Sequence, residues 1–263
     1  MTRSDVQVVH WNPRRWTRAP LGVLIRHRGR VGNFGDLLGP AIVRRLVADA
    51  GLSHARPAPR RLVTVGSILR LAQDGDTVWG TGANGKSVAE PYPFTHLDVR
   101  AVRGPLTRAL LESKGIDAPA VYGDPGLLVG MLWPDLATLR DPSGPVLVVP
   151  NFHELATRRL RPGELDPRSD LDVCLRRIAR SSLVVGSSLH GLVVAESLGI
   201  PARRVRYVSE PSFKYDDYYA GTGREQHTPA SSVAEALEMG GEAGPRWDPA
   251  ALVAAFPRDL WLS

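Results

Sequence analysis

Leu183-Val184-Val185-Gly186-Ser187-Ser188-Leu189-His190-Gly191-Leu192-Val193-Val194-Ala195-Glu196-Ser197-Leu198-Gly199-Ile200-Pro201 decides how this chain is read. The apolar run Leu183 to Val185 is a short buried strand by composition. Gly186, Ser187 and Ser188 then turn the chain. Serine is a good N-cap because its hydroxyl accepts from a free N–H of the first helical turn. From Leu189 to Leu198 apolar residues recur at helical spacing; Gly199 caps the end and Pro201 forbids continuation. The product is strand, tight serine turn, helix, with His190 in the first helical turn. A helix N-terminus offers backbone N–H groups and a partial positive charge, so it receives anions. Hydroxyls and an imidazole there point to a phosphate or carboxylate with a proton donor beside it. Taken alone, the commoner meaning is a helix cap with a polar surface histidine, so the rest of the chain must shift the balance.

The chain has 263 residues, 43% of them apolar, and one cysteine, Cys174. That length suits one large or two smaller domains with real cores. A single cysteine excludes an internal disulfide and a multi-cysteine metal site. Cys174 falls on the apolar face of a helix marked by Leu171, Leu175 and Ile178, which points to packing. No apolar signal core follows Met1, and no run approaches the ~18 apolar residues of a membrane span, so the expectation is a cytoplasmic protein. Net charge is +6, from 33 Lys plus Arg against 27 Asp plus Glu, and lysine occurs only at Lys86, Lys114 and Lys214. The arginines are dispersed, with no basic block interleaved with aromatics, which argues against a nucleic-acid partner. The positive excess suits anionic substrates, or peripheral contact with an anionic membrane surface such as the inner face of the membrane.

Upstream, Leu21 to Arg26 reads as a buried strand running into Gly29-Arg30-Val31-Gly32-Asn33-Phe34-Gly35-Asp36, a glycine-punctuated loop, and then a helix from Leu37 to Ala50. This is the start of a Rossmann-like unit, although G-x-G-x-x-G is absent, so it is no dinucleotide fingerprint. Asp36 is a cap or a catalytic carboxylate. Strands follow at Leu62–Gly66 and Thr77–Gly80. Residues 80–87, Gly-Thr-Gly-Ala-Asn-Gly-Lys-Ser, satisfy the P-loop pattern literally. A P-loop must open directly into a helix, and Pro91 and Pro93 forbid one here. These glycines read instead as the end of a strand at a ligand cleft. Leu97–Val102 is the next strand, and Pro105 opens a helix that reaches Lys114. Arg103 therefore sits at a strand's carboxyl end, where α/β sheets hold ligands and where a guanidinium grips carboxylate or phosphate. The alternative is a surface arginine near a cap. Asp124 ends the following strand, as a cap or a ligand contact.

Downstream, residues 134–145 read as an interdomain linker. Strand Val146–Val149 exits at Asn151-Phe152-His153-Glu154, and the helix of Cys174 leads into the opening stretch. Val205–Val208 reads as one more strand. Residues 212–219, Ser-Phe-Lys-Tyr-Asp-Asp-Tyr-Tyr, read as a polar-aromatic loop, usually surface or interface, whose lysine can close over an anion. Asp248 caps a last helix, Pro249 to Phe256.

Several stretches together resemble the polysaccharide pyruvyl transferase family. They are Gly32–Asp36, the run Val102-Arg103-Gly104-Pro105-Leu106-Thr107, and Val121-Tyr122-Gly123-Asp124-Pro125. Ser187-Ser188-Leu189-His190-Gly191 through Pro201 and Phe213–Tyr219 complete the set. They stand in the family's order over most of the chain, and Gly80-Thr81-Gly82 resembles the family's strand-end loop. Two features depart from it: the chain is short beside many members, and Asn151–Glu154 replaces a proline-histidine type exit.

The resemblance implies an α/β protein with two Rossmann-like domains facing across a cleft, similar to the glycosyltransferase type B arrangement. The boundaries are residues 1–138 (acceptor side), 139–245 (with the Ser-Leu-His-Gly motif) and a C-terminal helix in 246–263 that packs back on the first domain. It implies transfer of pyruvate from phosphoenolpyruvate onto a sugar, or a lipid-linked oligosaccharide, as a ketal, without metal or cofactor. Chemistry then assigns expectations. His190 is the first choice for proton transfer, because an imidazole serves near pH 7. Asp36 or His153 is the second such group, and Asp124 a weaker one. Arg103, Lys214 and the Ser187–Ser188 turn bind the doubly anionic donor. Asn33 and Gly82 complete the substrate-binding set. The rivals are a nucleotide-sugar glycosyltransferase of the same shape, a catalytically silent anion- or sugar-binding scaffold, and a P-loop ATPase.

Overall fold

The structure, a computed structural model, describes residues 6–18, 24–52 and 60–262. In chain order, β1 is Val6–Val9, β2 Arg14–Arg18, β3 Leu24–Arg30 and α1 Phe34–Asp49. Then come β4 (Arg60–Val63), β5 (Thr77–Trp79), β6 (Asp98–Ala101) and α2 (Pro105–Glu112). A 3-10 turn, Pro125–Leu128, leads into two short helices, α3 (Val129–Leu132) and α4 (Pro134–Ala137). The remainder is β7 (Val146–Val148), α5 (Leu171–Ala179), β8 (Leu183–Gly186), α6 (Leu189–Ser197) and β9 (Ala202–Arg204). It ends with α7 (Phe213–Gly221), α8 (Val233–Met239) and α9 (Pro249–Ala254).

Among the described residues these strands make two parallel sheets, β1-β4-β5-β6 and β7-β8-β9, plus the antiparallel pair β2-β3. Parallel neighbours require long crossovers, which α1 supplies in the first sheet and α5 and α6 in the second. A parallel Val102–Tyr122 bridge extends the first sheet, and a parallel Val205–Ala230 bridge the second. One apolar cluster joins both sheets. It holds Phe34, Leu38 and Ile42 of α1, Leu62 and Ala101 of the first sheet, and Leu147 and Val184 of the second. The C-terminal segment closes on the first sheet: Trp79 donates its indole N–H to Leu252 O at 2.9 Å and meets Phe256 edge to face.

Four expectations change. The strand expected over Leu21–Arg26 lies partly outside the described residues, and its described part belongs to β3, in the hairpin rather than a parallel sheet. The sheet instead begins with β1, whose short Val-Gln-Val-Val run is recruited by pairing with Arg60–Val63. The expected linker 134–145 opens as α4, because Leu136 is drawn into the core. The last strand is Ala202–Arg204, not Val205–Val208. Arg203 is buried by aiming its guanidinium at the carbonyls of Thr228, Gly240 and Gly241, whereas Val208 stands fully exposed. Residues 213–221 are a helix rather than a surface loop, with Tyr215, Tyr218 and Tyr219 buried on one face at i, i+3, i+4.

Candidate active site

The carboxyl ends of strands from both parallel sheets open on one cavity of about 360 Å³. That is where a sheet with helical crossovers exposes its loops and helix N-termini. The α1 end contributes Asn33 and Asp36, the β4 exit Ser67 and Ile68, and the β5 exit Asn84, Lys86 and Ser87. The β7 exit contributes Asn151, Phe152 and His153, the start of α6 Ser188 and His190, and α7 Lys214.

Asp36 and His190 form its reactive-looking end. Asn33 donates its side-chain amide to Asp36 Oδ2 at 2.6 Å. Burial lifts the Asp36 carboxyl above the ordinary range, and the neighbouring His190 works against that rise. The His190 side chain is 12% exposed. Burial pushes its imidazole below the ordinary value, Asp124 and Asp36 oppose the fall, and Lys214 and Arg103 add to it. Its Nε2 lies 3.7 Å from Oδ2 of fully buried Asp124, and neither atom has a hydrogen-bond partner. Asp124 Oδ1 meanwhile accepts from Gly126 N at 2.8 Å, so this carboxylate is fixed by the turn it caps. On the other side of the ring, a Cβ on residue 35 would stand 2.2 Å from His190 Nδ1, and only glycine leaves room for the imidazole. Ser188 caps α6 by accepting from Gly191 N at 3.3 Å, as its place in the turn predicts.

A second cluster gathers around Glu210, whose side chain is 1% exposed. It accepts from Lys86 Nζ at 2.5 Å, from Lys214 Nζ at 2.6 Å, and pairs with His153 Nδ1 at 3.0 Å. Burial alone would raise this carboxyl. The hydrogen bonds from His153, Lys214 and Lys86 outweigh it and hold the group well below the ordinary carboxylate range. Burial lowers Lys214, and Glu210 opposes that fall.

The structure thus brings His190, Asp36, His153, Asn33, Ser188 and Lys214 to one cavity. Arg103, Ser187 and Gly82 stand behind its wall. Arg103 is fully buried and ion-paired with Asp217 at 2.9 Å, and it donates to Ser67 Oγ at 2.7 Å and Ala83 O at 2.9 Å. Its guanidinium therefore anchors the Ser67 and Ala83 loops. Gly82 gives it space, since a Cβ there would lie 2.3 Å from Arg103 Cζ. Ser187 Oγ accepts from Asn151 N and donates to Glu154 Oε1, both at 2.8 Å, which ties the β7 and β8 exits together.

Sequence reasoning passed over Glu210, Lys86, Asn84 and Ser67, and ranked Asp124 low. Glu210 had one local signal, its i, i+4 spacing to Lys214. Lys86 had another, as the only lysine in a glycine-rich strand exit. Among the described residues no group of three or more His, Cys, Asp or Glu side chains is arranged to hold a metal ion. Among them, too, no helix is long and apolar enough to cross a membrane.

Comparison with known proteins gives a consistent picture. The family model for polysaccharide pyruvyl transferase matches residues 94–209, a span that includes Arg103, Asp124, His153 and His190. The chain is 30% identical over 225 residues to succinoglycan biosynthesis protein ExoV of Rhizobium meliloti (strain 1021), covering 80% of this chain and 68% of that protein. It is 28% identical over 176 residues to an uncharacterized protein of Acanthamoeba polyphaga mimivirus, covering 62% of this chain and 60% of that protein. No solved structure gives a significant match.

Proposed function

Because the chain belongs to the polysaccharide pyruvyl transferase family, we propose that it moves pyruvate from phosphoenolpyruvate onto two hydroxyls of a sugar as a ketal. The family and the succinoglycan biosynthesis relative support a pyruvyl transferase role in exopolysaccharide biosynthesis. The observation that carries the finer reading is the meeting of Asp36, His190, Lys86 and Lys214 in one cavity. Phosphoenolpyruvate brings a phosphate and a carboxylate, which suit two ammonium groups, the Asn84 amide, the Ser67 and Ser188 hydroxyls and the N-terminus of α6.

The reaction needs a proton on the methylene carbon of the enol phosphate. That step leaves a cationic centre on the adjacent carbon, to which the first sugar hydroxyl adds while giving up its proton. Phosphate departs with the bonding pair, and the second hydroxyl closes the ketal with loss of its own proton. Of the two hydroxyl protons, one replaces the proton spent on carbon and the other leaves with phosphate. His190 delivers the proton, and Asp36 beside it receives one. Burial favours the neutral imidazole of His190. The negative charge of the donor offsets Lys214 and Arg103 and raises the imidazole, so the substrate itself loads the acid. Asp124 faces the ring, its Oδ2 3.7 Å from Nε2, and its charge favours the protonated imidazole. In this reading the two parallel sheets are the Rossmann-like halves of a glycosyltransferase type B arrangement, divided near residue 138. The acceptor is a sugar or a lipid-linked oligosaccharide.

Heating the protein with phosphoenolpyruvate, a nucleotide sugar and ATP in separate samples tests the donor. A ligand at 100 times its dissociation constant adds about 2.7 kcal/mol, roughly 5–11 °C of melting temperature for a chain of this size. The expected result is a rise with phosphoenolpyruvate alone. A rise with a nucleotide sugar or ATP, and none with phosphoenolpyruvate, refutes the reading.

A further inference from the structure

We propose that Trp11 and Phe152 form a platform for the sugar ring of the acceptor, an inference that rests on the pyruvyl transfer argued above. The cavity has two kinds of wall. Asp36, His190, Lys86 and Lys214 make one side ionic, whereas Trp11 and Phe152 line it with flat apolar rings. A small dianion gains nothing from an aromatic face. A pyranose does, because its C–H face is apolar while its hydroxyls point outward from the rim, so a ring can cover that face and leave the hydroxyls free to react.

The two rings are held as a unit. Trp11 lies two residues past β1 and Phe152 follows β7, so each parallel sheet supplies one. They meet edge to face with centroids 5.7 Å apart and planes at 65°. Phe152 also meets the His153 ring at 5.8 Å and 70°. His153 in turn is fixed by Glu210, which binds both lysines. The platform is therefore tied through one residue to the cluster assigned to the donor, which places an acceptor on the rings beside the donor's anionic groups. Behind Phe152 a second recess of about 320 Å³ opens, lined by Val31, Phe152, Leu155, Ala156 and Arg168. Phe152 is the wall common to both spaces. A single sugar at the platform leaves that recess empty, and a longer glycan continues into it. An oligosaccharide would set its reacting unit on the rings and its neighbour past Phe152.

Saturation-transfer NMR on the full chain with phosphoenolpyruvate present tests this, with methyl β-glucopyranoside, methyl β-galactopyranoside and methyl β-cellobioside as probes. At least one glycoside should contact the wild type, the disaccharide more tightly than methyl β-glucopyranoside. Trp11→Leu and Phe152→Leu keep apolar bulk but lose the flat ring, and should weaken that binding roughly fivefold to tenfold. Trp11→Phe, which keeps a ring, should stay within about twofold. The melting shift given by phosphoenolpyruvate should be the same in all variants. Glycoside binding unchanged in the leucine variants overturns the platform, as does a wild type that contacts none of the probes. A leucine variant that also loses the phosphoenolpyruvate shift overturns it too, since its residue then serves the site as a whole. A wild type that phosphoenolpyruvate fails to stabilise sinks the donor reading, a result separate from the glycoside titrations.

Discussion

Replacing Glu210 by Gln keeps the shape of the side chain and deletes its charge. Three groups lose their carboxylate, and they lose it unequally. The Lys86 side chain is 41% exposed and that of His153 51%, so both can turn to water at little cost. Lys214 cannot, because its side chain is 10% exposed. Removing one partner of a buried ion pair costs about 3–5 kcal/mol. Lys214 has one escape, which is to give up its proton. For a lysine with an ordinary value of about 10.4, that caps the penalty at pH 7 near 4.6 kcal/mol. A loss of about 3–4.6 kcal/mol corresponds to a melting temperature lower by roughly 6–18 °C. The pH dependence has a definite sign. Burial already lowers Lys214, and without Glu210 it falls further, so the folded variant holds this proton less tightly than the unfolded chain does. The unfolded chain keeps its proton up to about pH 10.4, so folding of the variant releases a proton. Its stability therefore rises with pH by up to about 1.4 kcal/mol per unit, and its deficit against wild type shrinks between pH 7 and 9. Thermal unfolding followed by circular dichroism at pH 7, 8 and 9 reads both quantities. A drop of less than about 2 °C at pH 7, or a deficit that widens with pH, refutes the placement of Lys214 on a buried carboxylate.

His190→Gln should cut phosphate release from phosphoenolpyruvate by at least ~100-fold, while the melting temperature stays close to wild type because Nε2 has no hydrogen bond to lose; near-normal release removes His190 from proton transfer. Binding of phosphoenolpyruvate near pH 7 should draw a proton onto His190, since burial holds the free imidazole low and the anionic ligand raises it. Calorimetry in buffers of different ionisation enthalpy detects the uptake, and identical buffer dependence in wild type and His190→Gln contradicts it. Gly82→Ala should destabilise by about 3 kcal/mol, because the new Cβ meets the Arg103 guanidinium at 2.3 Å and that group is pinned by Asp217, Ser67 and Ala83. Gly244→Ala, with open space around its Cβ, should be nearly neutral and serves as the control in the same melts.

What could be read in the sequence was what short-range rules determine. The β8–α6 unit follows from an apolar run, a serine cap and a terminal glycine, and its bounds came out within a residue or two of Leu183–Gly186 and Leu189–Ser197. Pro105 and Asp248 mark helix starts for the same local reason. Where long-range pairing decides, the sequence misleads. Residues 213–221 mix tyrosines with charges and so resemble a surface loop. Yet Lys214 is neutralised by Glu210, and Asp217 by Arg103, which lies 114 residues away. With those charges matched, the tyrosines can turn inward and the segment becomes a buried helix. Strand β9 is hidden in the same way, because Arg203 looks polar until its carbonyl partners near Gly240 are in place. In the site, His190, Asp36 and Lys214 announce themselves by residue type and by their motifs. Arg103 does so too, but nothing local reveals that its Nε, Nη1 and Nη2 each already donate within the protein, to Asp217, Ser67 and Ala83.

The Glu210 arrangement bears on turnover as well as on binding. Two ammonium groups this close would repel each other in an empty pocket, and a phosphate that relieved the repulsion would be slow to leave. Here they share a resident counterion, so the vacated pocket strands no charge and the product gains only the difference between one anionic partner and another. In the proposed reaction the site would give up some grip on its donor in exchange for easier release of inorganic phosphate.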